Sequence, residues 1–181
     1  MKRIVTTTFL SLVFGISFSQ TIPSYVPTTG LIAWYPFTNN VKDSSGNGNH
    51  GTVVNTLPFV ADRFGSPNSA ITTDNGYVTC PSSIFQYSRS DSFSISAWFT
   101  TTALVGNGRL VSTEAPEGNF RISTYGNGAV AVQYGSDYIF DTVSMNSWIH
   151  IVFTYNNRNQ RLYVNGVLKS SGLDATTESL H

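Results

Sequence analysis

The stretch "SWIHIVFTYNNRNQRLYVNGVLKSSG", residues 147–172, carries the clearest fold signal in this chain. Its first part alternates in side-chain character, so one face carries Ile149, Ile151, Phe153 and Tyr155, and the other Trp148, His150 and Val152. Its second part places Asn165-Gly166 between two apolar runs. That pair accepts the positive φ angles of a tight hairpin turn. The stretch therefore predicts consecutive antiparallel strands.

The same alternation extends upstream. In "FSISAWFTTT", residues 93–102, one face carries Phe93, Ile95, Ala97 and Phe99, and the other Ser94, Ser96, Trp98 and Thr100. "NFRISTYGNGAVAVQYG", residues 119–135, predicts two strands around "YGNG". No run of ten or more residues repeats apolar positions at helical spacing. The chain is therefore predicted to be all-β, a two-sheet antiparallel β-sandwich.

Composition excludes several classes of function. Charged residues make up 11% of the 181 residues, aromatics 13%, and the formal net charge is zero. Without a basic stripe, nucleic acid is not an expected partner. Cys80 is the single cysteine, so no internal disulfide can form, and we expect it at a buried strand position.

The first twenty residues predict export. Lys2 and Arg3 precede an apolar stretch, and Ser17 and Ser19 give the small-x-small spacing that a signal peptidase reads. We expect a signal peptide at residues 1–19, with cleavage after Gln20 as the alternative, and a secreted or cell-surface protein. Serine and threonine interrupt the stretch, which argues against a membrane anchor, and no later segment could span a bilayer. Residues 20–29 read as a short extended leader, and residues 30–181 as one domain.

Four segments in order carry a family resemblance. They are "GLIAWYPFTNNVKDSSGNGNHGTV" (30–53), "DRFGSPNSAITTDNGYVTCPSS" (62–83), "DSFSISAWFTT" (91–101) and the 147–172 stretch. Together they resemble the LamG-like jelly-roll domain of the concanavalin A-like lectin/glucanase superfamily. The resemblance implies a jelly roll of two curved antiparallel sheets, often with calcium near one rim. It also implies a binding or adhesion role in secreted or surface proteins, sometimes beside a glycosidase.

The resemblance also sets an expectation for both ends of the domain. Family members continue past the segment that corresponds to "DATTESLH" with a further strand that returns beside the N-terminal one. We therefore expect the last strands of the jelly roll to be lacking here. The N-terminal strand predicted around Leu31–Phe37 would then be left as an unpaired, association-prone edge.

The polar segment "DSSGNGNHGT", residues 43–52, is a candidate metal loop. Oxygen-bearing side chains recur at every second position, Asp43, Ser45, Asn47 and Asn49, and calcium prefers such oxygens. No Glu closes the loop at the twelfth position. The alternative is a rigid turn in which Asp and Asn bond their own backbone. A phosphate cradle is excluded, because a strand rather than a helix follows.

Catalytic patterns are weak. Glycosidases need two carboxyl groups about 5–10 Å apart. The closest acidic pair, Glu114 and Glu117, flanks Pro116 in an apparent turn. No HExxH or GxSxG motif occurs, and His150 fits a hydrogen-bonded structural histidine. We predict no enzymatic activity.

Aromatic side chains are the candidates for ligand binding. Trp98 lies on the polar face of its strand, and Tyr125 and Tyr163 add further rings. The favoured alternative packs Trp98 and Trp148 on the second sheet or beneath a loop. We predict a secreted or cell-surface binding or adhesion module for a glycan or an extracellular protein such as a surface glycoprotein. The alternative is an accessory carbohydrate-binding domain of a larger secreted glycoside hydrolase.

Overall fold

A computed structural model describes residues 22–88, 90–101, 108–113, 120–125, 128–134 and 137–175. The chain forms two compact units, one up to Ile84 and one from Phe85 onward. The predicted signal peptide, residues 1–19, lies outside the described residues. The boundaries predicted for the leader and the domain stay predictions.

The first unit is built from short strands. These are β1 (Thr52–Asn55), β2 (Phe59–Val60), β3 (Ala70–Ile71) and β4 (Gly76–Thr79), followed by a 3-10 helix at Ser82–Phe85. β1 pairs antiparallel with β4, and β2 pairs antiparallel with β3. Gly76 lies close against the backbone of Val54 and Thr56, where an added Cβ would meet a carbonyl oxygen at 2.3 Å. The β1–β4 pair therefore requires glycine at that position.

Residues 31–37 do not form the predicted N-terminal strand. Side chains of the 43–49 loop occupy their backbone groups instead, because Asn47 Nδ2 donates to Leu31 O at 2.7 Å and Trp34 N donates to Asp43 Oδ1 at 2.9 Å. Phe37 has a positive φ of 56°, which a bulky side chain disfavours and which interrupts an extended run. The sequence has the β-propensity of a strand, but its hydrogen bonds go to a loop.

Two smaller predictions in this unit are also wrong. Residues 22–29, expected to be extended, contain a turn in which Val26 N donates to Pro23 O at 2.9 Å. Cys80, expected at a buried strand position, is half-buried and directly follows β4.

The described residues of the second unit form eight strands in two four-stranded antiparallel sheets. The strands are β5 (Ser92–Phe99), β6 (Gly108–Ser112), β7 (Phe120–Thr124), β8 (Ala129–Tyr134), β9 (Asp137–Thr142), β10 (Ile149–Asn156), β11 (Asn159–Val164) and β12 (Val167–Leu173). One sheet has the order β12-β11-β10-β5 and the other β6-β7-β8-β9. The predicted all-β antiparallel sandwich of the jelly-roll type is confirmed.

The core lies between the two sheets and follows the predicted alternation. Ile149, Ile151, Phe153 and Tyr155 of β10 are buried, and they pair with the inward positions of β5. From the facing sheet, Phe120, Ile122, Val130 and Val132 join the same cluster. Each fully buried side chain of this kind contributes on the order of 1.5–3 kcal/mol to stability. The predicted inward faces of β5 and β10 are confirmed.

The hairpins also form where the sequence places them. Asn165 and Gly166 have φ angles of 50° and 80°, and they connect β11 to β12. β7 and β8 pair antiparallel around "YGNG", part of which falls outside the described residues. The alternation and the turn signals thus predicted the framework on which the candidate site lies.

Candidate functional site

The outward side chains of β5, β10, β11 and β12 form one continuous surface. We call this surface the Trp98 face, and define it by Ser94, Ser96, Trp98, His150, Val152, Thr154, Arg161, Tyr163 and Leu168. Strand pairing places Trp98 opposite His150 and Ser96 opposite Val152. Val152 in turn lies opposite Tyr163, which lies opposite Leu168. Antiparallel partners share a face of the sheet, so the side chains of these rows point the same way.

Trp98 and His150 form a stacked pair at the β5 edge of this surface. Their ring centroids are 4.7 Å apart and the planes are inclined by 13°. Trp98 keeps 43% of its surface exposed. The favoured prediction that Trp98 packs on the second sheet or beneath a loop is therefore wrong, because the pleat of β5 turns it away from the core. An exposed indole held flat by a second ring is a ready stacking platform.

One hydrogen bond holds the imidazole of His150 under this platform, and a second holds the backbone of the same residue. His150 Nε2 lies 2.8 Å from the hydroxyl oxygen of Ser96, and the backbone N–H of His150 donates to Asn165 Oδ1 at 2.9 Å. The predicted hydrogen-bonded histidine is confirmed. The contacts order the ring beneath Trp98, so less conformational entropy remains to be lost when a ligand stacks on the indole.

Tyr163 shares the surface with Trp98, whereas Tyr125 does not. Tyr163 is half-buried on β11, two strands and about 10 Å from β5 across the sheet. Tyr125 directly follows β7 of the other sheet, and its N–H donates to Ala129 O at 2.9 Å. Of the three candidate ligand-binding residues, the fold brings two onto one face. Their ligand contacts stay predictions.

The polar groups around Trp98 are mostly uncharged. Hydroxyl and amide side chains line β5 and the paired positions of β10, where Ser92 Oγ donates to Asn156 Oδ1 at 2.8 Å. Arg161 is the charged side chain among the residues that define the face. Such a surface offers hydrogen bonds to hydroxyl groups and little electrostatic selection.

The 43–49 loop is a separate polar cluster, in the first unit. Asp43 is only 6% exposed, and both of its carboxylate oxygens accept two hydrogen bonds. Oδ1 accepts from the backbone N–H groups of Trp34 at 2.9 Å and Ser45 at 2.8 Å. Oδ2 accepts from the Ser45 hydroxyl at 2.8 Å and from Asn49 N–H at 3.0 Å. A carboxylate has about four lone-pair directions, and here donors occupy all four.

These donors also set the charge state of Asp43. Burial alone raises the pKa of the carboxyl, but the hydrogen bonds from Trp34, Ser45 and Asn49 outweigh it and hold the pKa below its ordinary value. Close by, the Tyr35 hydroxyl donates to Asn49 O. Burial, and after it the neighbouring Cys80 thiol, raises the pKa of Tyr35.

The geometry of the 43–49 loop favours a hydrogen-bonded turn over a calcium-binding site. The Nδ2 groups of Asn47 and Asn49 both donate to Ile32 O, at 3.1 and 2.8 Å, so the two amides clamp the preceding segment. A calcium ion would have to displace several of the donors around Asp43, and this arrangement therefore does not fit a coordination shell. Calcium binding by Asp43, Ser45, Asn47 and Asn49 stays a prediction. Across the described ranges no three His, Cys, Asp or Glu side chains group together as a metal site would require.

Two further observations bear on the site. Glu114 and Glu117, the acidic pair considered for catalysis, lie outside the described residues. Sequence reasoning gave no role to Arg121 or Phe140, which lie on β7 and β9 of the second sheet. The alternation in "DYIFDT" was the available signal for Phe140, because it puts Tyr138 and Phe140 on the face opposite Ile139.

In the part of the chain that the structure describes, no helix has the length and hydropathy to cross a membrane.

Comparisons with known proteins agree with the fold. Residues 72–180 match the family model of laminin G domains described as concanavalin A-like lectin/glucanases superfamily. Among curated proteins, none matches the chain.

Several solved structures have a similar fold. One is domain 4 of AbnA, a GH43 extracellular arabinanase from Geobacillus stearothermophilus, in complex with arabinotriose. It has a TM-score of 0.63 and 20% identity, over 80% of this chain and 75% of that one. Another is the binding domain of botulinum neurotoxin DC in complex with rat synaptotagmin II, with a TM-score of 0.63 and 16% identity, over 80% of this chain and 40% of that one. A third is botulinum neurotoxin type C, whose cell entry depends on two ganglioside molecules, with a TM-score of 0.60, 17% identity, and coverage of 79% and 38%.

Proposed function

Because the chain belongs to the concanavalin A-like lectin/glucanase superfamily, we propose that it is a non-catalytic module that binds carbohydrate on the Trp98 face. The observation that carries the proposal is the exposed indole of Trp98 stacked on a hydrogen-bonded His150. The ligand is a free glycan or the glycan of a surface glycoprotein. The module acts outside the cell, as a secreted or surface-attached binding or adhesion domain.

The chemistry of the surface suits a sugar. A sugar ring has an apolar face of C–H groups and a rim of hydroxyls. The indole of Trp98 supplies a flat apolar platform for the first, and Ser94, Ser96 and Thr154 supply hydrogen-bonding groups for the second. Tyr163 and Leu168 extend the apolar part of the surface along the next two strands. A chain of several sugar units could therefore lie across the sheet.

The similar structures support a binding role. The arabinanase domain was solved with arabinotriose, which favours carbohydrate as the ligand class. The toxin domains engage synaptotagmin II or gangliosides, which favours a ligand on a cell surface. At 20% identity and below, these likenesses show the fold alone, so the choice of ligand rests on the Trp98 face.

Three of the described carboxylates are held in structural contacts, which supports a non-catalytic role. Glycoside hydrolysis needs two carboxyl groups about 5–10 Å apart, free to protonate and to attack. Asp43 is buried and accepts four hydrogen bonds, and Asp174 is fully buried against the Tyr155 hydroxyl. Asp141 lies 3.6 Å from the ammonium group of Lys169. Each of these three carboxylates therefore has a structural partner.

A second candidate function is an accessory domain of a larger secreted glycoside hydrolase. The similarity to a domain of an extracellular arabinanase favours it. Sequencing the gene downstream of the codon for His181 distinguishes the two. A hydrolase domain in the same reading frame supports the accessory role, and an array of similar modules supports adhesion.

The binding proposal is tested with the full chain and neutral polysaccharides. We expect retardation in affinity gels that contain arabinan or β-glucan, and Trp98→Ala to weaken binding at least about tenfold, because the stacking platform is lost. Phe64→Ala is the matched control, since Phe64 is 75% exposed and lies in the first unit. Equal binding by the Trp98→Ala variant and the parent, with unchanged melting temperatures, would overturn the proposal.

A further inference from the structure

The other sheet carries a second exposed aromatic surface. We call it the Tyr138 face and define it by Arg109, Arg121, Tyr138 and Phe140, whose side chains stand around Gln133, itself only 8% exposed. Arg121 pairs with Gln133, and Gln133 pairs with Tyr138, so these three side chains form one row across β7, β8 and β9. Arg109 and Phe140 end the adjacent row, on β6 and β9.

Two aromatic rings stand on the edge strand β9. Tyr138 is 48% exposed and Phe140 is 66% exposed, whereas Ile139 between them is 5% exposed and belongs to the core. Two residues along a strand are about 6.8 Å apart, so both rings lie on one side of the sheet within reach of a single ligand. Leaving two adjacent aromatic rings in water costs hydrophobic free energy, which a ligand that covers them would recover.

Arg121 lies beside these rings in a fixed orientation. Its Nη2 donates to the Tyr138 hydroxyl at 2.8 Å, and its guanidinium carbon is 6.0 Å from the Tyr138 ring centroid. Its Nε is buried without a hydrogen-bond partner among the described residues, so a ligand on the surface would meet the Nη groups of the guanidinium. A guanidinium binds a carboxylate through parallel N–H groups, and a side chain already held in place loses little entropy in doing so.

The charge of the surface favours an anion. The charged side chains among the described residues of this face are Arg109 and Arg121, both positive. The one acid of β9 whose side chain is described, Asp141, points to the opposite side of the sheet and lies 3.6 Å from Lys169. The face therefore combines two exposed aromatic rings with the positive charges of Arg109 and Arg121.

We propose that the Tyr138 face is a second binding site, for a glycan that carries a carboxylate group, such as a uronic or sialic acid unit. Arg121 binds the carboxylate, and the rings of Tyr138 and Phe140 cover the apolar face of the sugar. An acidic peptide would add as a strand to the backbone of β9, whereas the features described here are side chains on the face. They favour stacking of a ring over strand addition.

The test uses the full chain with matched ligands: sialyllactose against lactose, and polygalacturonate against arabinan. We expect the carboxylate-bearing member of at least one pair to bind more tightly, with an affinity that falls as salt is added. Phe140→Ser and Arg121→Gln should each weaken this binding roughly tenfold, as the loss of stacking or of a charged hydrogen bond implies. Arg121→Lys, which keeps the charge and loses the planar fork, should recover part of it.

Trp98→Ala is the control that separates the two sites. It should leave carboxylate-dependent binding unchanged while it abolishes binding of the neutral polymer. The proposal is overturned by equal affinity for the acidic and neutral members of both pairs, or by loss of acidic binding in Trp98→Ala but not in Phe140→Ser. Binding of polyglutamate as tightly as of polygalacturonate would also overturn it, in favour of an acidic peptide. Circular dichroism checks that Phe140→Ser, a change at a mostly exposed position, still folds.

Discussion

At the scale of single residues, Asp43 organises the 43–49 loop. Its carboxylate accepts four hydrogen bonds from residues before and after it, and Asn47 and Asn49 return hydrogen bonds to the 31–32 segment. Asp43→Asn puts an amide N–H₂ where two donors now point, so at least two of the four bonds are lost. We expect a loss of about 2 kcal/mol in the free energy of unfolding. Urea unfolding measures it, with Asp74→Asn, a change at an exposed acid, as the control.

The pH dependence of this effect follows from the pKa of Asp43. Hydrogen bonding holds the folded pKa below its ordinary value of 3.8, so the folded state favours the ionised form. The stabilisation is fully present above that ordinary value and is lost as the pH falls through the lower, folded value. The difference in stability between the parent and Asp43→Asn should therefore be constant near neutral pH and shrink below about pH 4. A difference that persists undiminished in strong acid would contradict it.

A calcium titration distinguishes the two interpretations of this loop, the hydrogen-bonded turn and the calcium site. If Asp43, Ser45, Asn47 and Asn49 bind calcium, calorimetric titration of the chelated protein shows binding heat that weakens in Asp43→Ala. The turn interpretation expects no heat and no shift in melting temperature. The hydrogen bonds around Asp43 lead us to expect the second result.

At the scale of elements, a buried polar contact helps to anchor the end of β12. Tyr155 in β10 donates its hydroxyl to Asp174 Oδ2 at 2.9 Å, directly after β12, and both side chains are almost fully buried. Tyr155→Phe removes a donor from a buried carboxylate. We expect a loss of about 2 kcal/mol and a fall in melting temperature of about 4–8 °C. Tyr163→Phe, at a half-buried position on the outer face, is the control, and equal stability of the two variants would rule out this role for Tyr155.

The strands and turns also show how much of the structure the sequence predicts. The inward faces of β5 and β10 and the Asn165-Gly166 hairpin were predictable, because alternation and positive φ are local properties. The strand expected at residues 31–37 does not form, because its backbone groups bond to side chains that lie about ten or more residues later. Alternation placed Trp98 on the outward side of β5, but it does not tell whether another element covers that side. Arg121 and Phe140 come together only through the register of three strands, which no local pattern reveals.

At the scale of the whole molecule, the edge strand β12 affects solubility. In the described pairings it bonds only to β11, and Val167, Leu168 and Leu173 on it are 58%, 49% and 65% exposed. An apolar strand edge invites pairing with another copy. We expect Leu173→Lys to reduce self-association at high concentration, measured by light scattering. Phe64→Lys, which changes an exposed apolar residue away from a strand, should have a smaller effect, and equal effects would point to general hydrophobicity instead.

The sandwich has a geometric consequence for its two outer faces. The sheets lie about 10 Å apart and their inner sides are filled by the shared core, so Trp98 and Phe140 point in opposite directions. One polysaccharide chain cannot easily reach both without wrapping around an edge. Two different chains can each bind one face, a neutral chain on the Trp98 face and an acidic chain on the Tyr138 face. If both proposed sites bind, a unit with this layout would cross-link two polymers, and would tighten a mixed network rather than merely hold on to it.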